Sequence, residues 1–216
     1  MTKLRKWLKP GLFGSTGTAP TKQSELIEKE TSIIKVTYET KGLWESTLQS
    51  INEINFKEIE IPNIGQNLEP GEPSLPQEGL YVAIPAGATI TSIKVISEKK
   101  KTFELESQVK PAPQPTFDKR SAPEFIPKKD IYEKEGEAFP GVLFKDLGMK
   151  QLGDVHVLHL MMYPVQYRPP KTIDLYSKIE LEISYELGAE KTIPTRGGRK
   201  RVPSGSEDQI LNLDNV

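Results

Sequence analysis

The sequence predicts an all-β protein, an antiparallel β-sandwich with disordered N- and C-terminal tails. Three observations predict it. Apolar residues recur at period two in short runs, as in strands with one buried face. Turns rich in proline and glycine separate these runs. Helical periodicity is nearly absent, and only residues 24–30 and 43–53 have a spacing that suits short helices. Short strands punctuated by Gly and Pro form sandwiches or barrels.

The elements follow in order. Residues 1–30 are rich in Gly, Thr, Pro and Lys and read as a flexible basic tail. The domain proper is expected over residues 31–187. Ile34, Val36 and Tyr38 form one face of a first strand. Phe56 to Ile61 form a second, closed by Pro62-Asn-Ile-Gly65. A proline- and glycine-rich stretch, residues 69–79, leads into the apolar run Leu80 to Ile84, a third strand that ends at Pro85-Ala-Gly-Ala88. Proline restricts φ and removes a donor, and glycine permits the turns. Ile90, Ile93, Val95 and Ile96 form a fourth strand, with a bulge where the spacing slips by one. A fifth covers Thr102 to Leu105. Lys110-Pro-Ala-Pro-Gln-Pro115 reads as extended, polyproline-like chain. A long charged loop, residues 116–141, follows. The apolar pattern resumes at residues 141–144 and strengthens at 155–163, and two more strands follow at 173–176 and 179–185. In the last, Ile179, Leu181, Ile183 and Tyr185 oppose Lys178, Glu180, Glu182 and Ser184. Residues 188–216 read as a second flexible tail carrying a basic segment.

Composition removes several function classes. The chain has no cysteine, so disulfides, thiolate metal sites and cysteine nucleophiles are excluded. A formal net charge of -1 supplies no global attraction to nucleic acid or anionic membrane. No stretch approaches the roughly 20 apolar residues of a membrane helix. The basic start, with Lys3, Arg5, Lys6 and Lys9, is not followed by the apolar run of a signal peptide. His156 and His159, three apart on a strand, face opposite sides and are not expected to share a metal. Tyr163, Tyr167, Tyr176 and Tyr185 are expected to pack in the core and turns; exposed together, they would suit a carbohydrate-binding or adhesion module. Glu180 and Glu182 read as a solvated face. No catalytic triad order, phosphate loop or cofactor motif is present.

Three motifs stand in a set order: Gly71-Glu-Pro-Ser-Leu-Pro76, then Ile84-Pro-Ala-Gly-Ala88, then Tyr163-Pro-Val-Gln-Tyr-Arg-Pro169 before the strand pair that starts at Ile173. Together with the Pro-rich segment 110–115, this set resembles the N-terminal propeptide domain of gingipain-type cysteine peptidases, over residues 33–186. The resemblance implies a β-sandwich that precedes a caspase-like catalytic domain. It implies a chaperone and inhibitor that covers the cleft of its peptidase, presents a basic residue to the specificity pocket, and is released by cleavage after basic residues. The implied partner is a cysteine peptidase catalytic domain, and the implied location is secreted or cell surface. A chain without cysteine cannot supply that nucleophile itself, so it is read as a prodomain and not an enzyme.

The resemblance places its inhibitory element in the long loop. Lys119 and Arg120 suit it, because a guanidinium or ammonium can meet an acidic pocket; the alternative is a pair of solvated charges. Lys128-Lys129-Asp130 is a rival in the same loop. Arg196, Arg199, Lys200 and Arg201 form a basic, Gly-containing segment suited to processing. A solubilising tail and a nucleic-acid contact are its alternatives, the latter without an aromatic platform.

Overall fold

The computed structural model describes residues 5–9, 23–24, 29–30, 32–49, 55–115, 123–187, 202 and 210–213. The described strands are β1 (Arg5–Leu8), β2 (Gln23–Ser24), β3 (Lys29–Glu30), β4 (Ile33–Glu39), β5 (Leu43–Gln49), β6 (Asn55–Glu60), β7 (Gly65–Gln66), β8 (Pro76–Ile84) and β9 (Ala88–Glu104). After a single helical turn, α1 (Lys129–Tyr132), come β10 (Phe144–Leu152), β11 (Val155–Met162), β12 (Val165–Arg168), β13 (Thr172–Leu187) and β14 (Ile210–Leu211). No described helix is long and apolar enough to cross a membrane.

The predicted sandwich forms from two sheets. One has the order β10-β11-β8-β14, with β7 also on β8. The other is built on β13. Strand β9 pairs along the whole of β13, so β12 and β4 follow one another along its opposite edge. The period-two residues of the sequence meet between the sheets. Ile34, Val36 and Tyr38 of β4 and Ile179, Leu181, Ile183 and Tyr185 of β13 pack with Leu80, Val82 and Ile84 of β8 and Leu158, Leu160 and Met162 of β11. Removing each such large apolar side chain from water contributes about 1.5–3 kcal/mol before the entropy of ordering is set against it. Within this layer the Tyr38 hydroxyl donates to Glu78 at 3.1 Å; burial, then the Glu78 charge, raises the tyrosine pKa well above its usual value.

A second core lies beside the first. A three-stranded sheet, β1-β5-β6, contributes Leu8, Leu43 and Ile59. Against them pack Leu75, Leu105 and Val109, with Val165 and Tyr167 of β12 and Ile173 and Leu175 of β13. The long β13 thus serves both cores, its first residues one and its later residues the other.

Several elements depart from the sequence reading. Residues 43–49, whose spacing suits a helix, form β5 instead, because pairing on both sides buries Leu43 fully and sets the Trp44 ring edge-on to Trp7 at 4.9 Å. Of the other helix candidate, Ser24, Lys29 and Glu30 are strand residues paired with β4. Within the expected N-terminal tail, Arg5–Leu8 form β1, with Trp7 and Leu8 buried. The separate strands expected at 90–96 and 102–105 are one strand, and so are those at 173–176 and 179–185. Polar residues 97–101 break the apolar pattern, but their backbone pairs with β13. The expected bulge is present: register slips between Ile90 and Ser92 and again between Val95 and Ser97, leaving Ile96 exposed.

Candidate functional site

The proline-rich segment and the Gly71 turn together build the base of the long loop. In residues 110–115 prolines alternate with residues that keep a backbone donor. Each of those donors is used. Lys110 N–H donates to the Lys57 carbonyl at 2.8 Å, Ala112 N–H to Glu72 at 2.7 Å, and Gln114 N–H to Glu124 at 2.8 Å. Proline removes the intervening donors, which have no strand partner to lose. The carbonyls of Lys110 and Ala112 accept from Ser74 N–H and Gly71 N–H, each at 2.9 Å. The expected extended path is therefore held on one side by β6 and on the other by the turn that enters β8.

The loop closes on the same turn. Gln114 and Glu124 tie its two arms together, and Lys128 N–H donates to the Gly71 carbonyl at 2.9 Å. Gly71 has φ +79, a region that favours glycine. A Cβ there would lie 2.8 Å from the Ile126 carbonyl oxygen and 3.0 Å from Lys128 Cγ. The Lys128 ammonium meets Glu72 at 3.0 Å and Glu69 at 3.7 Å. Its hydrogen bond to Glu72 raises its pKa. Lys128, the rival inhibitory residue, is thus engaged at the base of the loop. Asn67 adds a second bond to Glu72 at 3.0 Å.

Beneath this base lies a charged network that the strand pattern did not signal. The Lys57 ammonium is buried and touches Glu45 at 2.7 Å, Glu106 at 2.8 Å and the Thr47 hydroxyl at 3.0 Å. Burial by itself lowers the Lys57 pKa, but the hydrogen bonds to Glu106 and Glu45 outweigh it and the net shift is upward. Next to it Lys110 pairs with Glu58 at 2.7 Å and lies over the Phe125 ring, which packs against Phe56. Phe125 belongs to the returning arm of the loop, so the network anchors it. On the far side, the Tyr132 hydroxyl of α1 donates to the Val109 carbonyl at 3.0 Å.

Lys119 and Arg120 fall in residues 116–122, outside the described residues. The same holds for Arg196, Arg199, Lys200 and Arg201. The structure brings together instead the residues that carry the arms of the loop. Gly71, Ala112, Gln114, Glu124 and Lys128 were not assigned this role from the sequence. The alternation of proline with donor-bearing residues in 110–115 is the signal that could have found them.

The other candidates have structural places. His156 is exposed, while His159 stacks on Tyr81 at 4.5 Å. Burial and the nearby Lys150 push the His159 pKa down. Among the described residues no cluster of three or more His, Asp or Glu could hold a metal. Tyr167, Tyr176 and Tyr185 are buried and Tyr163 is half-buried, so they form no exposed aromatic strip. The Tyr167 hydroxyl donates to the Pro170 carbonyl at 2.7 Å, and burial raises its pKa to about 12. Glu180 pairs with Lys178 on the sheet surface.

Residues 16–212 match the family model Propeptide_C25. No curated protein matches the chain. Its fold is similar to that of two solved chains. One comes from a structural study of zymogenic latency of gingipain K from Porphyromonas gingivalis, with TM-score 0.64 and 20% identity over 86% of this chain and 100% of that one. The other comes from the complex of Porphyromonas gingivalis RgpB pro- and mature domains, with TM-score 0.70 and 20% identity over 90% of this chain and 98% of that one.

Proposed function

This chain belongs to the Propeptide_C25 family, and on that premise we propose that it is a non-catalytic prodomain that blocks the active-site cleft of a C25 cysteine peptidase and assists its folding. The observation that carries the reading is the closed base of the long loop. The hydrogen bond between Gln114 and Glu124 returns the chain to its starting point, and Gly71 holds the outgoing and returning arms. The paired arms fix where the loop leaves and rejoins the domain, which lowers the entropy lost on binding.

On this reading Arg120 is the residue offered to the specificity pocket, with Lys119 beside it. A guanidinium matches a carboxylate with two parallel hydrogen bonds, whereas an ammonium supplies a point charge. Lys128 is already paired with Glu72 and Glu69 and is less suited to the task. Arg196, Arg199, Lys200 and Arg201 are the proposed processing segment, basic as cleavage by a Lys- or Arg-specific peptidase requires. The reading further places the protein with its peptidase outside the cell, where such enzymes act.

The test is titration of a mature C25 peptidase with the purified chain. Dose-dependent inhibition and a complex on size-exclusion chromatography are expected. Unchanged activity at micromolar chain, with no complex, overturns the reading. Inhibition that survives Arg120→Ala overturns the loop assignment alone.

A further inference from the structure

Residues beyond the proposed processing segment return to the sandwich. Strand β14 pairs in parallel with β8, Ile210 opposite Tyr81 and Leu211 opposite Val82. It occupies the edge of β8 that faces away from β11. Both side chains are buried, on opposite sides of the sheet. Leu211 enters the main core between the sheets. Ile210 joins Ala83, Val155 and Val157 on the outer face, where Val202 and Leu213 also pack. The next residue extends the attachment by its side chain. The Asn212 amide accepts from Ala83 N–H at 2.9 Å and donates to the Ala83 carbonyl at 3.1 Å. The carboxamide thus does for Ala83 what a further strand residue would do, and Asn212 takes φ +54, a conformation asparagine tolerates better than most residues.

We infer that the β8 edge is a peptide-binding site whose occupant is the segment 210–213, and that cutting the chain at the processing segment leaves this segment bound. Three features support it. The contact is strand addition, in which main-chain hydrogen bonds give affinity and alternate side chains give specificity. The occupant reads apolar-apolar-Asn-apolar, and each of its first three side chains has a defined place. An uncovered β8 edge would leave unpaired donors and acceptors beside an apolar face, a surface that folded proteins protect. None of these contacts passes through residues 196–201, so none is lost when a bond there is hydrolysed. Processing therefore converts a covalent link into a non-covalent one, and departure of the prodomain needs the clasp to open as a second step.

This inference rests on the processing role given to Arg196, Arg199, Lys200 and Arg201. Its test uses an added protease, so its failure is distinct from failure of the inhibition reading. A full chain in which residues 196–201 are replaced by the recognition sequence of a site-specific protease is nicked and examined by native mass spectrometry. The two fragments are expected to remain together. Asn212→Ala is expected to speed their separation about tenfold, from the loss of two hydrogen bonds to the sheet edge. Leu211→Ser should abolish retention. Hydrogen exchange at the Ala83 amide gives a second readout on the intact chain: slow in the parent and faster in Asn212→Ala. Immediate loss of the C-terminal fragment from the nicked parent overturns the inference. So does retention unchanged by both substitutions, or an Ala83 amide that exchanges equally fast in parent and variant.

Discussion

The Gly71 carbonyl accepts the Lys128 backbone N–H at 2.9 Å, joining two residues separated in sequence by β8, β9 and the first part of the long loop. The same Gly71 donates to Ala112, so a single residue with positive φ holds the chain entering the loop and the chain leaving it. Any side chain here meets the Ile126 carbonyl. Gly71→Ala is therefore expected to destabilise the fold by about 1–3 kcal/mol, from backbone strain and displacement of the loop arm. Urea denaturation followed by tryptophan fluorescence measures it. On the proposed reading, inhibition of the peptidase should weaken in the same variant, because the loop loses its base.

Lys57 and Glu45 form an ion pair in which both side chains are nearly inaccessible. Removing one partner leaves the other charge buried without compensation. Lys57→Ala is expected to cost about 3–5 kcal/mol. Glu106→Gln, at the exposed end of the same network, should cost less than about 1 kcal/mol. Equal losses in the two variants would show that burial does not govern this network.

Asp174 predicts the acid behaviour of the sandwich. Its carboxylate is buried at 3% side-chain exposure and is met by Arg168 Nε at 2.9 Å and by the Thr102 hydroxyl. Burial tends to raise its pKa, but the hydrogen bonds from Thr102 and Arg168 and the Lys100 charge prevail, and the net shift is downward. A depressed carboxylate stabilises the fold fully above its unfolded value of about 3.9, and that contribution is lost as pH falls through the lower folded value. Asp174→Asn should lower stability at neutral pH and reduce the loss between neutral pH and about pH 3. Thermal denaturation of both proteins across that range measures it; parallel pH profiles would exclude Asp174 as the source.

On the proposed reading, Arg120→Ala weakens inhibition of a C25 peptidase at least about tenfold, the worth of a charge-assisted hydrogen bond. Arg120→Lys should recover part of the loss, and Lys119→Ala should have the smaller effect. The inhibition constants measure this order. Urea midpoints equal to that of the parent chain would separate the effect from folding.

The runs at Ile34, Leu80 and Ile179 were legible because strands pack through alternate residues, and that period is written in the chain. The turn at Gly71 was legible for a similar reason, since proline and glycine restrict or release the backbone wherever they stand. The resemblance carried by Gly71 to Pro76, Ile84 to Ala88 and Tyr163 to Pro169 led to the family that the match over residues 16–212 shows. Segment 43–49 was not legible as a strand, because its partners, β1 and β6, are supplied by other parts of the chain. Nor was the burial of Lys57, which depends on Glu45 and Glu106 arriving from separate segments.

The sequence by itself thus determined an all-β sandwich, the proline- and glycine-marked turns on either side of the Leu80 to Ile84 run, and the absence of a cysteine nucleophile. Only the tertiary structure decided what the proline-rich segment does. Its alternate donors find Lys57, Glu72 and Glu124, and these lie far apart along the chain. It likewise decided that Ile210 and Leu211 belong to the sandwich, since two residues carry too little pattern to announce a strand until the free edge of β8 is there to receive them. Local periodicity and turn chemistry are properties of neighbouring residues, whereas pairing, charge burial and edge protection exist only between segments that folding brings together.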